Sequence, residues 1–258
     1  MVASPPATVR RIHATLHRAF KDAVRWGYLL ANPADAADPP RESVFARERP
    51  SWSSEQLSAF LASIADDRLA ALWRLLAMSG CRRGEALGLR WDDLDLESGE
   101  VRIRRSLVPL NGKVIECEPK TARGRRTIGL DAETLEALQR HAARQLDEQR
   151  FWDEEHTESR HVFTKENGAA LHPERVTARF RRLVYEAALP AIPLHGLRHT
   201  HASLALALGI NPRLVSERLG HSTVAFTLDV YAHVLPRDDK LAAEQVAELL
   251  GSIPPDID

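Results

Sequence analysis

Residues Pro193 to Leu235 constrain this chain more than any other stretch. They read P-L-H-G-L-R-H-T-H-A-S-L-A-L-A-L-G, then S-E-R-L-G-H-S-T, then T-L-D-V-Y-A-H-V-L. The pattern predicts helices over 196–208, 212–219 and 222–231, with Gly209 in the first turn and Pro212 at the favoured first helical position. The same stretch carries His195, Arg198, His221 and Tyr231. Three of these can hold a phosphate and stabilise charge, and the fourth can attack it.

The rest of the chain surrounds that stretch with more helix and a little sheet. Val9, Ile12, Leu16, Phe20 and Ala23 fall near a helical period, so 8–30 reads as one helix ended by Asn32-Pro33. From 33 to 50, Pro, Ala, Asp and Arg show no period, as a linker does. Ser53 with Gln56 forms a capping box for a helix to about Ile64. A buried helix over 69–78 stops at Gly80, and a short helix from Gly84 leads to a strand near Leu94. Glu100 to Val108 reads as a strand, Asn111-Gly112 as a hairpin turn, and Lys113 to Glu118 as the partner strand. Arg125 to Leu130 is a third strand, and Asp131 caps a helix to about Gln149. A short strand over 161–164, a helix over 173–188 and an amphipathic tail over 236–251 complete the reading. The expected fold class is mainly α with a small antiparallel sheet (α+β).

Bulk properties narrow the function. No run approaches the roughly 18–20 apolar residues of a membrane span, and the N-terminus lacks the apolar segment of a secretory signal. Cys81 and Cys117 are too few for a disulfide scaffold or a four-cysteine zinc site and fit a reducing cytosol. Net charge is −1, yet Val101 to Arg126 holds eight Lys/Arg against two Glu. Arg175, Arg179, Arg181 and Arg182 form a second basic group. A locally basic face on a near-neutral protein is a footprint for phosphates. Arg104, Arg105, Arg123, Arg125, Arg175 and Arg179 are therefore candidate DNA-backbone contacts.

Arg198 follows His195 by three residues, so both side chains fall on one helical face. Arg198 can bond two phosphate oxygens through its fork, and His195 can donate to the phosphate or accept a hydroxyl proton. His195, His199 and His201 do not share one face and have no acidic or Cys ligand nearby, so a metal site is not expected. His199 and His201 are assigned to packing and hydrogen bonding behind the site. Arg82, with Glu85 three residues on, is a candidate second clamp, and by spacing Arg83 is an equal candidate. Lys120, in a turn, can reach a DNA groove and protonate a leaving oxygen.

The segments S-G-C-R-R-G-E-A-L-G-L-R-W-D-D-L-D, P-K-T-A-R-G-R-R-T-I-G-L, H-G-L-R-H-T-H-A-S and L-G-H-S, with Tyr231 ten residues after His221, resemble the tyrosine recombinase family of phage-type integrases and bacterial site-specific recombinases. The resemblance covers about residues 50 to 250. It implies Arg82 rather than Arg83 as the first arginine, Lys120 as the hairpin lysine, His195 and Arg198 as the HxxR pair, His221 as the second histidine and Tyr231 as the nucleophile, with Glu85 supporting Arg82. It implies cleavage and rejoining of double-stranded DNA through a 3′-phosphotyrosyl intermediate, with neither ATP nor metal. Arg82, Arg198 and His221 stabilise charge, His195 assists proton movement, and Lys120 protonates the departing 5′ oxygen. Implied partners are double-stranded DNA, further protomers in a dimer-to-tetramer synapse and an accessory directionality factor, in the cytoplasm with the nucleoid and away from any membrane. Residues 1–40 then correspond to a remnant of a helical core-binding domain, 41–50 to a linker and 51–251 to the catalytic domain with its tail helix. A second reading takes residues 200–224 as the helix-turn-helix of a non-catalytic regulator. That leaves Arg82, Lys120 and Tyr231 without a use. A decayed recombinase fragment and a relaxing topoisomerase of similar active-site class are related options.

Overall fold

The computed structural model describes residues 6–40, 50–118, 124–221 and 223–231. Lys120, Arg123, residues 41–49 of the linker expected over 41–50 and the expected tail helix over 236–251 lie outside the described residues. The chain divides into two units, Met1–Arg49 and Pro50–Asp258.

In the first unit, helix α1 spans Pro6–Arg25, shorter than the periodicity suggests. Gly27 takes φ +79°, Gly27 N–H donates to the Val24 carbonyl and Tyr28 N–H to the Ala23 carbonyl, so a Schellman turn ends the helix before Tyr28 can join it. Asn32 caps a 3₁₀ turn at Pro33–Ala36, and this turn returns along α1. His13 Nε2 bonds the Ala34 carbonyl oxygen at 3.1 Å, and His17 Nε2 bonds Asp35 Oδ1 at 2.8 Å.

The second unit opens on Trp52, whose N–H donates to Thr200 Oγ1 at 2.9 Å across the unit. The Ser53–Gln56 capping box starts α2, Ser54–Ser63. Helix α3, Ala70–Ser79, is buried almost all round and ends where Gly80 turns left-handed at φ +63°. Such a helix must sit at the centre of the fold, since no face is left for water. Phe60 on α2, Trp73 on α3 and Phe180 on α6, Pro173–Glu186, meet Trp52 in a ring cluster with centroids 5.1 to 6.0 Å apart. Asp131 accepts from Thr134 N–H and starts α5, Ala132–Trp152. Helices α7, Gly196–Ala207, α8, Pro212–Leu219, and α9, Val224–Tyr231, follow the expected order. Among the described residues, no helix is long and apolar enough to cross a membrane.

The single strand expected over 100–108 is in fact two. β2, Glu100–Ile103, lies between β1, Leu94–Asp95, and β5, Arg126–Gly129, in one antiparallel sheet. β3, Ser106–Leu110, pairs instead with β4, Lys113–Cys117, across the Asn111-Gly112 turn. Strict alternation with Val101, Ile103 and Leu107 would turn Arg105 toward the core. The chain leaves the sheet there, and Arg105 pairs with the buried carboxylate of Asp93. The strand expected over 161–164 is also absent: that segment makes two isolated bridges, Arg90 to His161 and Thr164 to Ala170.

The β3–β4 hairpin rests on α4, Arg83–Leu87, through glycines. A methyl group on Gly84 would lie 2.4 Å from Ser106 Oγ and 2.7 Å from the Leu107 carbonyl oxygen, and one on Gly88 would lie 3.2 Å from the Ser106 backbone. The spacing in G-E-A-L-G thus lets the hairpin backbone approach α4 closely. Gly84→Ala is expected to destabilise the protein by ~1–3 kcal/mol through overpacking, read as a lower urea midpoint at unchanged m-value. An unchanged midpoint would show that the hairpin does not rest on this helix.

Candidate active site

Gly80 ends α3, and the next turn sets Arg82 at the start of α4. Glu85 lies three residues on and is buried. Its Oε2 accepts from Arg82 N–H at 2.8 Å, and its Oε1 accepts from Arg82 Nη1 at 2.6 Å. Arg126 on β5, its side chain 7% exposed, donates through Nη2 to Glu85 Oε2 at 2.9 Å and through Nε to the Arg218 carbonyl on α8 at 2.7 Å. Burial pushes the Glu85 pKa up. The hydrogen bond and charge of Arg126, then the N–H and charge of Arg82, outweigh it, so Glu85 stays ionised with its pKa below the ordinary value. The third nitrogen of Arg82, Nη2, donates to the Gly220 carbonyl at 3.1 Å.

Arg198 sits in the first turn of α7 and is buried. Its Nη1 donates to the Gly80 carbonyl at 2.8 Å and the Leu219 carbonyl at 2.7 Å, so it closes two helix C-termini with one group. Burial first, and then Arg82, bring its pKa down to about 10, which leaves it cationic at neutral pH. His221 follows the left-handed Gly220. Its Nδ1 shares a 2.7 Å hydrogen bond with Thr227 Oγ1, and its ring stands edge-on to Phe226. Burial, then the charges of Arg198 and Arg82, push its pKa down to about 3, so the imidazole is neutral at pH 7.

Tyr231, the last described residue of α9, is buried, and its hydroxyl lies 2.6 Å from His199 Nδ1 on α7. His195 stands before α7 and packs edge-on to His199, with centroids 4.8 Å apart. A cleft of about 480 Å³ opens over Arg82, Gly84, His195 and Arg198. A second, of about 610 Å³, is lined by Arg126, Gly220 and His221. Arg83 lines the first cleft too, but its guanidinium turns to α6, donating to Thr177 Oγ1 and the Pro173 carbonyl. Of these two neighbours, Arg82 is the one whose charge reaches Arg198.

The structure brings Arg82, Glu85, Arg198 and His221 together from distant parts of the chain, with Tyr231 close enough that its phenolate would act on Arg198. Among the described residues, no group of three His, Cys, Asp or Glu is placed to hold a metal ion. Two residues of the site were not singled out from the sequence. Arg126 shares a face with buried Ile128 on β5, so period-two alternation was the available signal. The sequence places His199 in packing and hydrogen bonding behind the site, and no spacing links it to Tyr231.

The basic residues divide by their partners. Arg104 is half exposed and lies 3.9 Å from Asp93, whereas Arg105 is engaged by Asp93 and Glu116. Arg179 holds the Asp67 carboxylate through Nε and Nη2. Arg125 is exposed and paired with exposed Glu118, and Arg175 lines a cleft with Lys165 and Arg182.

The phage integrase family model matches residues 52–237, and the chain belongs to the phage integrase family. It is 30% identical to a tyrosine recombinase XerC-like protein of Caldanaerobacter subterraneus subsp. tengcongensis, an alignment covering 94% of this chain and 66% of that one. It is 28% identical to the ICEBs1 integrase of Bacillus subtilis (strain 168), again over 94% and 66%. Among solved structures it is similar to the Tn1549 transposon integrase in complex with circular intermediate DNA, with TM-score 0.73, 25% identity and coverage of 94% and 80%. The chain thus spans just under two thirds of the length of these two curated relatives.

The pKa of His221 makes the site sensitive to acid. The native imidazole stays neutral down to about pH 3, while the unfolded one binds a proton below about 6.5. Its contribution to stability is therefore complete above pH 6.5 and is lost as pH falls toward 3. His201, with its pKa lowered to about 4 by desolvation and then by Arg218, adds to the same slope. The urea midpoint is expected to fall from pH 6.5 to 4, and His221→Gln to flatten that fall. An equally steep slope in the variant would remove His221 as a cause.

Proposed function

We propose that this chain is a site-specific tyrosine recombinase that cuts and rejoins double-stranded DNA through a 3′-phosphotyrosyl bond. The observation that carries the reading is the placement of two arginines, Arg82 and Arg198, beside a neutral His221 and the hydroxyl-bearing Tyr231. Family membership supports it.

The chemistry follows from charge. A phosphodiester under attack gathers negative charge on its non-bridging oxygens. Arg82 and Arg198 are already oriented by Glu85 and by carbonyls, so little reorganisation remains when the phosphate arrives. A neutral His221 donates to the phosphate through one nitrogen while Thr227 holds the other. His195, at the mouth of the cleft, donates to the same phosphate. Tyr231 Oη forms the bond to phosphorus, the bond to the 5′ oxygen breaks, and Lys120 supplies the proton that oxygen needs. The covalent intermediate keeps the bond energy, so a 5′ hydroxyl from a partner strand reverses the step without ATP. On this reading the partners are duplex DNA, further protomers of the same chain in a synapse and an accessory factor that sets direction, and the setting is the cytoplasm with its nucleoid.

Nicked suicide duplexes drawn from DNA flanking the protein's own gene test this directly. An SDS-resistant protein–DNA adduct is expected, equal in EDTA and absent in Tyr231→Phe. Arg82→Ala or Arg198→Ala should slow its formation by about 10²–10³, the usual effect of removing a donor to transition-state charge. Strict dependence on added metal, or an adduct that persists without Tyr231, would refute the mechanism.

Backbone contacts give a separate expectation. Arg104→Ala and Arg175→Ala should each lower the slope of log affinity against log salt by about one unit. Arg105→Ala should instead lower folding stability, because Asp93 loses its partner. Unchanged slopes in both variants would move the DNA path away from these residues.

A further inference from the structure

We infer that His199 is a catalytic residue of this chain and takes the phenolic proton when Tyr231 attacks. The inference rests on the recombinase reading above and adds the group that receives the proton. The hydrogen bond between His199 Nδ1 and Tyr231 Oη is 2.6 Å long, well within the distance for proton transfer. Both residues are buried, Tyr231 at 2% exposure and His199 at 6%, so bulk water competes little for that proton. The arrangement is set by the backbone, since His199 lies in the first turns of α7 and Tyr231 ends α9, which packs on that helix.

The atoms balance as follows. The Tyr231 O–H bond breaks and its proton passes to His199 Nδ1, which requires the tautomer with hydrogen on Nε2. The phenolic oxygen bonds to phosphorus, the bond to the 5′ oxygen breaks, and that oxygen takes a proton from the separate acid, Lys120 in the reading above. On rejoining, His199 returns its proton to the phenol as the phosphotyrosyl bond opens. Arg198, the residue before His199, lies close enough to Tyr231 to feel its charge and so favours the phenolate as it forms.

Two measurements test this. The first needs no DNA. In protein labelled with ¹⁵N-histidine, the His199 Nδ1 resonance, assigned by its loss in His199→Asn, is expected to move in Tyr231→Phe. An unmoved resonance means that no such hydrogen bond exists and overturns the inference. The second uses the suicide duplexes with sulfur in place of the scissile 5′ oxygen, because a thiolate leaves without needing a proton. His199→Asn keeps an acceptor where Nδ1 stands but cannot take up a proton. Adduct formation is expected to slow by about 10²-fold or more, and its solvent deuterium isotope effect to vanish. His199→Gln serves as the second variant, and the unfolding midpoint and DNA affinity of both show that they are folded. A wild-type rate and isotope effect in a folded variant overturn the inference while leaving the recombinase reading intact. A faster rate also overturns it, since the bond would then restrain the nucleophile. An adduct that survives Tyr231→Phe, or none from the wild-type chain, overturns the recombinase reading and this inference with it.

Discussion

The buried carboxylate of Glu85 is the interaction on which the site depends. An ionised group in an apolar interior costs several kcal/mol unless its charge and lone pairs are met. Here Arg82 meets it from the same turn and Arg126 from β5. Arg126 reaches on to the Arg218 carbonyl of α8, and Arg82 to the Gly220 carbonyl just beyond that helix. One carboxylate therefore ties α4, β5 and the end of α8 into a single frame. Removing one partner from such a cluster leaves a charge stranded, which costs about 3–5 kcal/mol, far more than a surface pair contributes.

The same economy of contacts recurs at α7. Arg198 caps the C-termini of α3 and α8 through the Gly80 and Leu219 carbonyls, so it positions helices as well as offering charge. His201, one turn along, accepts from Arg218 Nε, and Gly80 has no side chain because Leu219 and His201 occupy the space a methyl would need. α3 is thus the buried post, and the cationic residues are fixed by the carbonyls at its end and at the end of α8. A site that must hold two arginines near each other without a bound anion needs such anchors, since the charges repel.

Much of this was legible in the sequence. Gly80, the Ser53–Gln56 box, Asn111-Gly112, Asp131 and Pro212 all punctuate the chain where the structure does, because caps and turns depend on near neighbours. The departures arise where distant residues compete with local preference. The run over 100–108 alternates well enough for one strand, but the buried Asp93 draws Arg105 out of the ladder. The segment at 161–164 is apolar enough for a strand, yet its partners offer only single bridges. α1 stops early because Gly27 closes a Schellman turn that a periodicity count does not weigh.

By itself, the sequence determined the residue types and their order: two arginines, two histidines and a tyrosine in a spacing that resembles one family, on segments whose helical or extended character is local. It also determined the Arg82–Glu85 pair, since three residues at the start of a helix bring side chain and backbone together. Only the tertiary structure decided that Arg126 completes that pair, that Arg83 turns away to Thr177, and that His199 meets the Tyr231 hydroxyl. These contacts span from 32 to 94 positions. They are set by how α4 meets β5 and α6 and how α9 packs on α7, and local periodicity carries no information about which faces of separate elements will meet.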